Sequence, residues 1–232
     1  MIPIKDDNPT KNKSLARLFI LILCAIVFIM QISSKNFDFY NFYFGFKPAS
    51  LFTDSNVPSF YPILTLLTSL FMHGGWMHFL GNMLYLWIFA DNVEDVMGTK
   101  HFIFFYLMSG VFATISHSIL DINSSTPLIG ASGAIAGVLG SYLYLFPRAK
   151  VLVLFPFIIF FTLRVPAFIL LLFWFIYQFI NLGGHNSNIA WIAHIGGFIF
   201  GFSYTYFTSD KRKIKKIKKG TSIFFKNDGP WD

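Results

Sequence analysis

Charge is scarce in this chain: only 12% of its 232 residues are Asp, Glu, Lys or Arg. That is about half the roughly 25% of soluble domains and excludes an ordinary water-facing surface. Cysteine is nearly absent, and Cys24 stands alone inside an apolar run, so no intrachain disulfide can form and thiol chemistry does not reveal the compartment. No segment recurs with a period of about 20 to 50 residues, which excludes a solenoid or propeller. HExxH is missing, and a zinc site built from His73, His78 and His194 lacks a carboxylate or thiol partner, so neither a metal nor another cofactor is expected. The opening MIPIKDDNPTKNKSLAR carries two adjacent acids and lacks a short apolar region with a small-residue cleavage site. A removable signal peptide or transit peptide is therefore not expected, which favours a bacterial plasma membrane over an organelle.

What is abundant is apolar side chain. The chain is 55% hydrophobic and 20% aromatic, with a mean hydropathy of +0.59. These values predict an all-α, polytopic membrane protein with six transmembrane helices in a compact bundle, each run needing about 20 apolar residues to cross a ~30 Å hydrocarbon core. The expected spans are Leu18 to Ile32, Trp76 to Ala90, Phe102 to Leu120, Ser132 to Phe146, Val151 to Ile180 and Ile189 to Phe207, the fifth long enough to tilt or break near Pro156 or Pro166. The aromatic stretch between the first two spans is expected to form a long outer loop partly embedded in the membrane interface.

Lys and Arg set the direction of these spans. All but three of the 18 fall on the side of both termini; Lys35 and Lys47 lie on the other side and Arg164 lies within a span. Both termini are thus expected in the cytoplasm. The resulting division is a cytoplasmic segment at 1–17, a six-span core at 18–207 and a basic cytoplasmic tail at 208–232. Next to a membrane the tail reads as a topology anchor touching anionic lipid, not as a nucleic-acid binder.

Polar side chains are costly within a bilayer, so each is a candidate for function. His78 and Asn82 are four residues apart and share a helix face. An interhelical hydrogen bond, worth only ~0.6 kcal/mol on average, would explain them equally. His194 stands alone near the start of the sixth span, with Gly197 and Gly201 on its own face. Ser132, in LIGASGAIAGVLG, is surrounded by glycine and alanine, and Gly133 and Gly137 form a GxxxG pair whose simplest meaning is close helix packing.

Depth favours a functional reading. From Ser132 to the PRAK punctuation the helix is roughly 22 Å long, at ~1.5 Å per residue, too short for the full core. Its start is therefore expected to be recessed below the outer surface, beside a watery cavity that tolerates the irregular backbone at Pro127 and Gly130. The same counting puts His78, Asn82 and His194 at that depth, on that side. Together they offer the parts for peptide hydrolysis: Ser132 as nucleophile, His194 as base, and Asn82, His78 and the amino end of the Ser132 helix as donors to an oxyanion. No acid lies at matching depth, so a dyad is expected.

Three motifs in order, HGGWMHFLGNM, GASG and AHIGG, resemble the rhomboid intramembrane serine proteases. EDVMG (Glu94 to Gly98) and the start MIPIKDDNP are also similar to bacterial members. The resemblance covers approximately Ser69 to Phe207. It implies Ser132 as nucleophile, His194 as general base, and His78, Asn82 and the Ser132 N–H as oxyanion hole. The implied reaction is cleavage of single-span membrane proteins within or near their span, through an acyl-enzyme, in a site opening to the outer side. The segment bearing Trp174 and Gln178 resembles one that gates lateral access of substrate. Two features depart from the pattern: no Trp-Arg dipeptide occurs in the first outer loop, and Ala136 stands where some members place a ring that packs on the catalytic histidine. The alternative function is an inactive rhomboid-like protein that holds client transmembrane helices. A small transporter is a third reading, disfavoured because inverted repeats are lacking.

Overall fold

The structure, a computed structural model, describes residues 1–54, 56–155, 161–182 and 189–210. It is mostly helical. In chain order the elements are β1 (Ile2–Asp6), α1 (Leu15–Ser33), α2 (Phe37–Phe44), α3 (Pro48–Phe52), α4 (Tyr61–Thr68) with a 3-10 turn at Ser69–Phe71, α5 (Trp76–Met97), α6 (Thr99–Ser118), α7 (Ser132–Leu145), β2 (Lys150–Phe155), β3 (Phe161–Pro166), α8 (Ala167–Ile180) and α9 (Trp191–Thr208). Within the basic tail, residues from 211 onward lie outside the described residues, as do Pro156 and His185.

Two sequence expectations need correction. The fold is not purely α, because β1, β2 and β3 form an antiparallel sheet in that order. The run Val151 to Ile180 is not one span: it divides into β2, β3 and α8, a helix of 14 residues. KVLVLF and FTLRVP are short β-branched runs inside a longer apolar stretch, where hydrophobicity alone does not separate strand from helix. Pro166, with ψ 137°, sits just before α8 and supplies the break, since proline fits the start of a helix and not its interior. Residues 2–6, read as part of a segment outside the core, pair with β2 from Ile2 opposite Leu154 to Asp6 opposite Val151.

Among the described residues, α1 alone is long and apolar enough to cross a membrane by itself. α4 with its 3-10 turn and α5 qualify only together, and they are bent by 81° at the break between them. The aromatic stretch after α1 folds into short helices. They are tied to the segment before α7 by Phe46 and Leu128, which exchange backbone hydrogen bonds, and by the Gly130 N–H, which donates to Ser69 C=O at 2.9 Å.

α7 is the axis of the bundle. All its residues except Ser132 and Tyr144 are buried. It lies directly on α9: a Cβ at Gly197 would overlap the Gly133 carbonyl, one at Gly201 the Gly137 carbonyl, and one at Gly140 the Phe198 carbonyl. Glycine at these positions is what allows backbone to touch backbone. Several buried hydroxyls are satisfied within or across helices, as where Thr205 donates to Ser141 Oγ at 2.8 Å and Ser109 to Phe105 C=O at 2.8 Å, while Tyr106 Oη has no partner among the described residues. The outward faces are apolar instead, with Ile22, Ile26 and Ile29 on α1 and Ile169, Phe173 and Ile176 on α8 all exposed. Exposed apolar surface of this extent marks contact with something other than water.

The chain's start is strapped across the end of the bundle opposite Ser132. Tyr142 Oη donates to Asp6 Oδ2 at 2.6 Å, Asn8 bonds Asn92, and Asp95 accepts from the Lys11 and Asn12 N–H groups at 3.1 and 3.0 Å. Glu94 accepts the Ala16 and Arg17 N–H groups, each at 2.9 Å. Ser14 makes no side-chain cap on α1, so a carboxylate from α5 takes that place and complements the positive end of the helix dipole.

Gly201→Ala is expected to force α7 and α9 apart and destabilise the fold by about 1–3 kcal/mol, the usual cost of overpacking; a melting curve in detergent that matches wild type would contradict the contact. Asp6 supplies a pH signature. Burial lifts its carboxyl to about 7, so stability from this group is present below about pH 4 and lost as pH rises through about 7. Asp6→Asn should accordingly melt like wild type at pH 4 and above wild type at pH 8.

Candidate active site

Ser132 is the first residue of α7, and Gly130 makes the bend that delivers the chain to it. Gly130 has φ +124°, a region L side chains rarely adopt, and a Cβ there would lie 2.7 Å from His78 Cε1 and Nε2. The first backbone N–H of α7 to bond back is that of Ile135, to Ala131 C=O at 2.9 Å. The N–H groups of Ser132, Gly133 and Ala134 precede it and have no helical partner, as at any helix start.

Ser132 Oγ lies 2.9 Å from His194 Nε2, across the glycine contact between α7 and α9. His194 Nδ1 lies 2.9 Å from Gln178 Oε1 of α8. The Trp174 ring rests against His194, with centroids 5.8 Å apart and planes at 35°, and Trp191 meets it edge-on at 6.1 Å. Ala136 offers no ring, and α8 supplies one from the other side.

His78 and Asn82 of α5 face the same space. His78 Nδ1 accepts the Gly74 N–H at 3.2 Å, so in the neutral ring the proton sits on Nε2, the nitrogen nearest Gly130. Asn82 is 8% exposed, and its Nδ2 is buried without a hydrogen-bond partner. A buried donor left unpaired costs about 1–3 kcal/mol. The described residues, including Ser132, His194, His78, Asn82 and Trp174, line a cavity of about 1170 Å³. Gln178 is 2% exposed and lies on the far side of the His194 ring from Ser132.

All six residues singled out by sequence are thus gathered at one place. Gly130, expected only as irregular backbone before the helix, joins them as the turn residue, because the sign of its φ leaves no mark beyond glycine itself. His117 also lines the cavity, with Nδ1 buried and without a partner among the described residues. His101 is engaged elsewhere, 2.6 Å from Tyr204 Oη. Among the described residues no three His, Cys, Asp or Glu side chains form a group that could hold a metal ion.

A family model described as Rhomboid domain matches residues 62–211. The chain belongs to the rhomboid family. Rhomboid proteins are membrane-integral, which accounts for the apolar outer faces of α1 and α8. The chain is 31% identical over 161 residues to the putative rhomboid protease YdcA of Bacillus subtilis, covering 64% of this chain and 68% of that one. It is 34% identical over 139 residues to the rhomboid protease GluP of the same organism, covering 59% of this chain and 24% of GluP. It is 29% identical over 170 residues to mitochondrial Rhomboid protein 1 of Saccharomyces cerevisiae, covering 67% of this chain and 45% of the yeast protein. The chain therefore spans less than half the length of these last two rhomboid relatives.

Gly130→Ala tests how the turn supports this site. Backbone strain of about 1–3 kcal/mol is expected, with the His78 ring displaced; an unchanged melting curve in detergent would show that the turn tolerates a side chain.

Proposed function

We propose that this rhomboid protein is an intramembrane serine endopeptidase that cleaves single-span membrane proteins within or near their transmembrane segment. The observation that carries the reading is the 2.9 Å approach of Ser132 Oγ to His194 Nε2 beside a cavity bordered by the unpaired Asn82 amide. The likeness to the two Bacillus subtilis relatives, named rhomboid protease and putative rhomboid protease, supports it.

In this reading His194 Nε2 takes the Ser132 proton as Oγ attacks the scissile carbonyl. The tetrahedral oxyanion accepts from Asn82 Nδ2, His78 Nε2–H and the Ser132 N–H, aided by the positive end of α7. His194 then gives its proton to the leaving amine, which departs and leaves an acyl ester on Ser132. Water then attacks the ester, losing a proton to His194, and His194 passes that proton to Ser132 Oγ as the carboxylic product leaves.

α1, α5, α6, α7, α8 and α9 serve as the six crossings. At ~1.5 Å per residue the 14 residues of α7 reach about 21 Å, which supports a recessed serine reached from the outer side. The Lys and Arg distribution supports cytoplasmic termini in a bacterial inner membrane. Trp174, at the cavity wall on α8, would meet a substrate helix arriving laterally.

In proteoliposomes carrying a single-span substrate, Ser132→Ala and His194→Ala should each abolish cleavage while the protein still inserts. Asn82→Ala should lower turnover by up to about 10²–10³-fold, the cost of one oxyanion donor in a soluble protease. Normal cleavage by Ser132→Ala would refute the assignment, and a wild type that binds client helices without cutting them would favour the inactive alternative.

A further inference from the structure

The hydrogen bonds around His194 extend past the dyad in a fixed order of polarity. Gln178 Nε2 donates to the Trp174 carbonyl at 2.6 Å, one turn back along α8. That carbonyl can only accept, so it must face the NH₂ of the Gln178 amide; the flipped amide would set two acceptors against each other. With NH₂ committed, the atom facing His194 Nδ1 at 2.9 Å is Oε1, which also only accepts. His194 must therefore carry its proton on Nδ1, and the lone pair on Nε2 is left for Ser132 Oγ at 2.9 Å.

We propose that Gln178 is the positioning residue of this site, holding His194 in the Nδ1–H tautomer with an amide whose own orientation is fixed by the Trp174 carbonyl. The inference rests on the reading of His194 as the base. In soluble serine proteases this task falls to a buried aspartate, which also stabilises the imidazolium. Here a neutral acceptor fixes tautomer and ring angle without burying a charge, which would be expensive in an apolar bundle. Gln178 is buried, and the Trp174 ring closes one face of the imidazole, so water has little room to replace the amide. The other ionisable groups facing His194 are His78 from α5 and His117 from α6. Asp38 of α2 lines the cavity, but both His194 ring nitrogens are already engaged by Gln178 and Ser132.

The test uses the full-length protein with ¹⁵N-labelled histidine and three side chains at 178. In wild type the His194 imidazole is expected as the Nδ1–H tautomer, and in Gln178→Leu that preference should be lost. Reaction of Ser132 with a fluorophosphonate should slow in the leucine variant by up to about 100-fold, the loss that a misplacement of ~1 Å can bring. Gln178→Glu keeps an acceptor oxygen within reach of Nδ1. It should therefore retain the Nδ1–H tautomer and recover most of the labelling rate that leucine loses, a rescue that a purely structural glutamine would not predict. An unchanged tautomer in Gln178→Leu, or loss of the tautomer in Gln178→Glu, would overturn the proposal. The tautomer readout needs no proteolysis: dependence on residue 178 in a protein that cuts nothing would support the positioning role while refuting the protease reading.

Discussion

Backbone contact between α7 and α9 is the constraint on which the rest of this rhomboid depends. Gly133 and Gly137 on one helix meet Gly197 and Gly201 on the other with no side chain between. In an apolar surrounding there is no hydrophobic drive to bring helices together, so close packing and hydrogen bonds must do it. The short distance between Ser132 and His194 follows from that contact, since each residue sits on its helix next to the first glycine of the seam. The glycines and the serine thus belong to one feature: the packing sets the distance between Ser132 and His194.

The opposite end of α7 is held by different means. Tyr142 reaches Asp6 of β1, and β1 is paired with β2, which follows α7 in the chain. Asn8, Lys11 and Asn12 grip α5 through Asn92 and Asp95, and Glu94 of α5 caps α1. α5 carries His78 and Asn82 and α7 carries Ser132, so the strap connects to two of the helices that bear polar groups of the site. The acid-to-glycine element EDVMG thus has a structural task, joining the amino-terminal strap to the turn at Gly98, where φ is +82°.

Ser132, His194, His78 and Asn82 were legible because the membrane makes isolated polar groups conspicuous and because helix length converts spacing into depth. Helix starts were also legible where glycine or proline punctuates, as at Trp76 after Gly75 and at Ser132 after Gly130. The sheet was not. β2 and β3 are apolar, β-branched and contiguous with α8, and only tertiary pairing with Ile2–Asp6 distinguishes them from a membrane span. Gln178 was visible only as part of a segment resembling a gate. A glutamine within an apolar helix signals that it has a partner, but not that the partner is the imidazole one helix away.

The unpaired Asn82 amide has a thermodynamic consequence of its own. Its Nδ2 has no acceptor among the described residues, so whatever enters the cavity of about 1170 Å³, water included, can take that hydrogen bond without displacing a protein group. A polar side chain is costly in an apolar bundle, and for packing alone leucine at this position would be the cheaper residue.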